Sequence, residues 1–169
     1  MKRIVCLLSL FCALIAEAQK VEMAVGDNWV EMPARQTQSE LKPGWKIVDY
    51  QLKSRLVHYL WGGRASQLAE GRRPVFRVTP AEEEVLIDYA VMQLKRYRNY
   101  RKLPKAKVTD NVYMRLEPRH FAVKAEGEAF VCQPLLPLEA GEYVLLNLSQ
   151  QPIGELGDLL VYPFSVRKE

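Results

Sequence analysis

The hydrophobic pattern opens with an apolar run over residues 4–16, thirteen side chains broken only by Ser9, with Lys2 and Arg3 before it and Ala16-Glu17-Ala18 closing it. A positive start, a short apolar centre and small side chains at the two positions a signal peptidase reads are the marks of a cleavable secretory signal. A membrane-spanning helix needs about 20 apolar residues, and this run ends before the polar Glu17, Gln19 and Lys20. Residues 1–18 are therefore expected to be removed after Ala18. What remains, 19–169, is expected to be one exported β-rich domain, periplasmic or extracellular, with no transmembrane segment.

After residue 19 the pattern changes to short runs rich in Val, Ile, Tyr, Phe and Trp between Gly, Pro, Asn and Asp, which is how the strands of a sandwich or barrel are spaced. The runs fall at 21–25, 29–32, 45–52, 56–61, 75–79, 112–116, 121–125, 129–133, 143–148 and 159–166. They predict a mainly β, antiparallel sandwich-like domain. The clearest local unit is a hairpin, with arms at 121–125 and 128–133 and a turn at Glu126-Gly127, where glycine supplies positive φ at low cost. On its first arm Phe121, Val123 and Ala125 share one face. Pro163 lies inside the last run and cannot donate to a ladder, so that strand is expected at a sheet edge or at a bulge.

Residues 81–98 support two readings. Thr79-Pro80-Ala81-Glu82 starts a helix well, and Leu86, Ile87, Ala90, Val91, Leu94 and Tyr97 share one helical face. Against this, 85–92 is apolar on both strand faces except at Asp88, as a buried strand would be.

Near the C-terminus stands Pro137-Leu138-Glu139-Ala140-Gly141-Glu142-Tyr143-Val144-Leu145, followed by Val161-Tyr162-Pro163-Phe164-Ser165-Val166. This resembles the end of a loosely defined group of exported bacterial β-sandwich proteins, in which a Pro-Leu-x-x-Gly-Glu-Tyr turn opens the penultimate strand. A weaker likeness runs through Arg73-Pro74-Val75-Phe76-Arg77-Val78 and the 88–98 segment. The resemblance implies a strand over 86–97 and a sandwich fold; it carries no activity.

Composition bounds the chemistry. The signal takes Lys2, Arg3 and Glu17 with it, leaving 22 basic and 19 acidic residues, a balance too mild to imply a polyanion partner by itself. Two of the three cysteines also leave, so Cys132 has no partner within the exported chain and is expected to be buried. No nucleotide, phosphate-loop or metalloprotease motif occurs, the spacing of His, Cys and carboxylates suits no zinc site, and no cofactor or nucleic acid is expected.

The remaining candidates are few. His58 and His120 are the histidines available for acid-base work near neutral pH. His120 and Cys132 fall near each other across the expected hairpin, which leaves open a hydrolase using that pair or His58. Glu82-Glu83-Glu84 reads as a solvated turn more readily than as half of a glycosidase pair. Trp61, before Gly62-Gly63-Arg64, could offer its indole to a sugar but is expected in the core, since it ends an apolar run.

The most suggestive segment is 95–107, with seven basic residues and two tyrosines in thirteen. Within it Lys95, Arg96, Tyr97, Arg98, Tyr100, Arg101 and Lys102 form a candidate surface for an anionic partner, since guanidinium groups grip phosphate or carboxylate and tyrosines offer stacking faces. An envelope protein, an anionic polymer or a lipid headgroup would fit. A solvated strand whose charges discourage edge pairing is the plainer alternative. The expected function is thus a non-catalytic binding or assembly component of a bacterial envelope.

Overall fold

The computed structural model describes residues 19–42, 46–47, 50–51, 55–81, 84–104, 113–149 and 157–168. The expected signal, 1–18, lies outside the described residues, as do Glu82, Glu83, Lys105 and Lys107. The chain runs through β1 (Lys20–Val25), β2 (Asn28–Glu31), β3 (Arg35–Gln36), β4 (Gln38–Lys42), β5 (Lys46–Ile47), β6 (Tyr50–Gln51), β7 (Arg55–Trp61) and β8 (Gln67–Leu68). It continues through β9 (Phe76–Thr79), β10 (Tyr89–Arg96), β11 (Tyr100–Lys102), β12 (Tyr113–Arg115), β13 (Phe121–Glu126), β14 (Ala129–Pro134), β15 (Gly141–Asn147) and β16 (Leu160–Val166).

All of these strands except β5 and β6, which pair with each other, form two layers. One is a five-stranded antiparallel sheet in the order β13-β14-β9-β1-β2. The other runs β3-β16-β15-β10-β11-β7-β4, with β12 also on β10 and β8 on β16. Its first and last members, β3 and β4, are separated in the chain by Thr37 alone, so the sheet curls round until its ends meet. Thr37 N–H donates to Leu159 O at 2.9 Å, Leu159 N–H donates to Thr37 Oγ1 at 2.8 Å, and Ser39 N–H donates to Asp158 Oδ1 at 2.9 Å. The result is a small, nearly closed barrel with the five-stranded sheet packed on one flank.

The period-2 alternation of β10, β15 and β16 builds two cores at once. Tyr89, Val91, Tyr143, Leu145, Tyr162, Phe164 and Val166 point out of the barrel and meet Val21, Met23, Phe76, Val78, Phe121 and Cys132 of the other sheet. Phe76 and Phe164 close this layer edge to face, with centroids 5.1 Å apart. The alternate residues Met92, Leu94, Val144, Leu146 and Val161 point inward and fill the barrel with Leu60, Leu103 and Leu159. Burial on both faces explains why these strands read as nearly continuous apolar runs.

It also decides the 81–98 ambiguity. The helix alternative is not realised: one 3₁₀ turn, Leu86–Asp88, leads directly into β10. The helical stripe arose because Ala90, Val91 and Leu94 are apolar on opposite faces of a central strand, so their spacing mimics a single helical face.

Three other expectations need correction. The last strand is not an edge, since β16 lies between β15 and β3. Pro163 is tolerated because it falls between the residues paired by β3 (Leu160, Val161) and by β8 (Phe164, Ser165). The 121–134 hairpin turns at Gly127-Glu128, with Gly127 at φ +63° and Glu126 opposite Ala129, so its register is shifted by two from that expected for Glu126-Gly127. Finally, 45–52 contains two short paired segments, β5 and β6, in place of one strand.

The Pro-Leu-x-x-Gly-Glu-Tyr stretch has a specific structural task. Leu138 N–H donates to Arg72 O at 2.7 Å and Arg72 Nε donates to Leu138 O at 2.8 Å, fixing the turn to a distant loop. The Tyr143 hydroxyl donates back to Glu139 O at 2.8 Å while its ring stacks on Phe164 at 5.4 Å.

Candidate functional site

The candidate segment 95–102 forms the β10–β11 hairpin, closed by Tyr97 N–H donating to Tyr100 O at 2.9 Å. Alternation then divides its side chains between two faces. Lys95 opposes Lys102, which opposes Tyr59, which opposes Gln38; Tyr100 opposes Trp61. These residues share the outer face of the barrel. Arg96 opposes Arg101 and Arg101 opposes Leu60, which places the two arginines on the inner face at one end of the barrel. The basic run is therefore two surfaces, not one.

On the outer face four aromatic rings adjoin. Tyr97 stacks on Tyr100 at 4.6 Å and 20°, while Tyr59 and Trp61 meet Tyr100 edge to face at 5.3 and 6.2 Å. Such offset and edge contacts contribute about 0.5–1.5 kcal/mol each and hold the rings in fixed orientations. Lys42 Nζ lies 5.6 Å from the Tyr59 centroid and Lys95 Nζ 5.8 Å from that of Tyr97. Trp61 is 62% exposed. Its indole N–H donates to Gln38 Oε1 at 2.5 Å, so the ring is anchored through its polar edge while its apolar surface meets water.

Trp61 therefore does not belong to the core as expected. An apolar run with residues on both faces does not reveal which face is covered, and here β7 sends His58 and Leu60 inward and Tyr59 and Trp61 outward. Tyr59, Lys42 and Gln38 were missed altogether. The one available signal was the alternation of Tyr59 and Trp61 within 56–61.

The glycine corner after Trp61 fixes the hairpin. Gly62, at φ +93°, donates its N–H to Asn99 O at 3.0 Å, and a Cβ on Gly63 would lie 2.6 Å from Arg98 O. Because that oxygen is backbone, Gly63→Ala must push the whole turn away. The expected cost is about 1–3 kcal/mol, read as a lower urea midpoint with the slope unchanged.

Arg101, counted among the candidate surface residues, is 3% exposed. Its Nη1 donates to Glu142 Oε2 at 3.2 Å and its Nε donates to Gly62 O at 3.0 Å. Burial lowers the guanidinium's pKa and Glu142 opposes that shift. Glu142 also accepts from Ala65 N–H at 2.8 Å and from the Ser165 hydroxyl at 2.9 Å. Arg101 thus helps close the barrel end and is not available on the surface, whereas Lys95, Arg96 and Arg98 are exposed and Tyr97, Tyr100 and Lys102 half-buried.

The catalytic alternatives separate in space. Cys132 is fully buried opposite Val123, and its thiol, pushed up to about 12 by burial, stays protonated at neutral pH. His120 instead aligns with Leu135, whose N–H donates to His120 O, because the hairpin register differs from that expected. Glu84 accepts a hydrogen bond from the Tyr89 hydroxyl. Among the described residues no three His, Cys, Asp or Glu side chains gather as a metal ion would require.

His58 is 2% exposed inside the barrel, with Nδ1 3.5 Å from the Thr37 hydroxyl and no hydrogen-bond partner at Nε2 among the described residues. Burial lowers its pKa, against a smaller opposing pull from Asp158. The unfolded chain protonates near pH 6.5 while the folded chain resists, so stability is complete above that pH and falls as pH drops below it. The slope is at most about 1.4 kcal/mol per pH unit. Urea midpoints measured between about pH 5 and 7.5 should fall less steeply in His58→Asn than in the parent.

Set against protein-family models, curated proteins and solved structures, the chain finds no match.

Proposed function

We propose that this protein is a non-catalytic binding component of a bacterial envelope, holding an anionic envelope polysaccharide on the outer face of its barrel. The observation that carries the reading is Trp61, left 62% exposed yet held in place by Gln38 and Tyr100. A large apolar ring kept in water forgoes burial energy, and clusters of Trp and Tyr dominate binding where they occur at interfaces. Flat aromatic faces accept the apolar faces of sugar rings, while Lys42, Lys95 and Lys102 neutralise acidic substituents along the polymer. The signal-like residues 1–18 and the likeness to exported sandwich proteins support placement in the envelope. The hydrolytic alternative gains nothing from a buried, protonated Cys132.

Charge reversal on this face tests the proposal. Lys95→Glu with Lys102→Glu should lower retention on purified acidic envelope polysaccharide about tenfold at low salt, with the difference shrinking as the screening length falls from about 10 Å at 0.1 M to about 3 Å at 1 M. Unchanged retention at low salt would refute it. Reversal of Arg101 is uninformative, since it would place two carboxylates together inside the barrel.

A further inference from the structure

The inner-face arginines lead to a second site. Beyond the Arg101–Glu142 pair, the barrel mouth opens into a cleft of about 720 Å³, within the range of small-molecule sites. Its walls include Leu68, Leu94 and Val166, and its rim carries Arg64, Arg96, Arg167 and Lys168. These four cations come from three separate segments: the loop after Trp61, the end of β10 and the tail after β16. All are exposed, and among the described residues none has an acidic partner. The carboxylate within the cleft, Glu142, already accepts from Arg101, Ala65 and Ser165, so it is committed to closing the barrel.

We infer that this mouth binds a phosphoryl group carried on a small, partly apolar ligand. Like charges gathered in a concave, partly apolar site raise one another's energy and concentrate anions there. Guanidinium forks grip phosphate oxygens in pairs. A phosphate monoester carries about −1.5 to −2 charge and three acceptor oxygens near neutral pH, which engages several of these cations at once where a single carboxylate would engage one. Leu68, Leu94 and Val166 give the remainder of the ligand an apolar wall. The site uses none of the outer-face residues and stands independently of the polysaccharide reading.

Calorimetric titration of the purified protein with pyrophosphate at about 0.15 M salt tests it. The expected result is saturable one-site binding that weakens at least tenfold in Arg96→Ala/Arg167→Ala and stays within twofold in Lys95→Ala/Lys102→Ala. The altered side chains are exposed, so unchanged thermal melts should accompany both variants. Absence of saturable binding, equal weakening in both variants, or tighter binding of citrate than of pyrophosphate would overturn the inference. Vesicles of phosphatidylglycerol in phosphatidylcholine separate two sources of the same chemistry. Retention displaced by pyrophosphate assigns the phosphate to a lipid headgroup, and pyrophosphate binding without vesicle retention assigns it to a soluble ligand.

Discussion

Glu142→Ala is expected to destabilise the protein by about 3–5 kcal/mol, the cost of stranding one member of a buried ion pair. Arg101 and Glu142 expose only 4% and 6% of their side chains, so the substitution leaves the guanidinium buried without its counter-charge. The substitution also orphans Ala65 N–H, whose acceptor at 2.8 Å is Glu142 Oε2. A double variant distinguishes charge stranding from general damage. In Arg101→Met/Glu142→Gln no ion remains, and the amide oxygen can still accept from Ala65. It should therefore recover most of the loss, because buried pairs replaced together cost little. Urea denaturation reads both, and a double variant as unstable as Glu142→Ala would mean that the pair is not the source.

Trp61→Ala should have the opposite profile, with a large effect on binding and a small one on folding. Its ring is mostly in water, so stability should change by less than about 1 kcal/mol. Loss of a central aromatic contact typically weakens association by about 2 kcal/mol or more, roughly thirtyfold. Trp29→Ala is the internal control: its ring lies under Arg77, at 4.7 Å, in the five-stranded sheet away from the outer barrel face. Equal losses of retention in Trp61→Ala and Trp29→Ala would remove the outer face from consideration.

Much of the architecture was legible because it is local. The 121–134 hairpin announced itself through Gly127 and alternating side chains, whereas over 81–98 the local pattern supported a helix as well as a strand, and the strand followed only from the resemblance. Barrel closure was not legible. It depends on Thr37 meeting Leu159 across 122 positions and on Arg101 finding Glu142 across 41, and no local pattern records such pairings. The candidate site falls between these cases. The basic run was visible as composition, but its division into an outer face with Lys95 and Lys102 and an inner face with Arg96 and Arg101 follows from strand register. Trp61 was assigned to the core because a tryptophan in an apolar strand usually belongs there, and only the curl of the sheet shows that, among the described residues, no layer covers its side of β7.

The indole N–H resonances of the protein give the most direct test of the outer-face assignment, followed during titration with purified acidic envelope polysaccharide. The Trp61 signal should move progressively and saturate while the Trp29 signal stays in place. A Trp61 signal that remains fixed through a titration that visibly saturates elsewhere would contradict the assignment of the aromatic face as the binding surface.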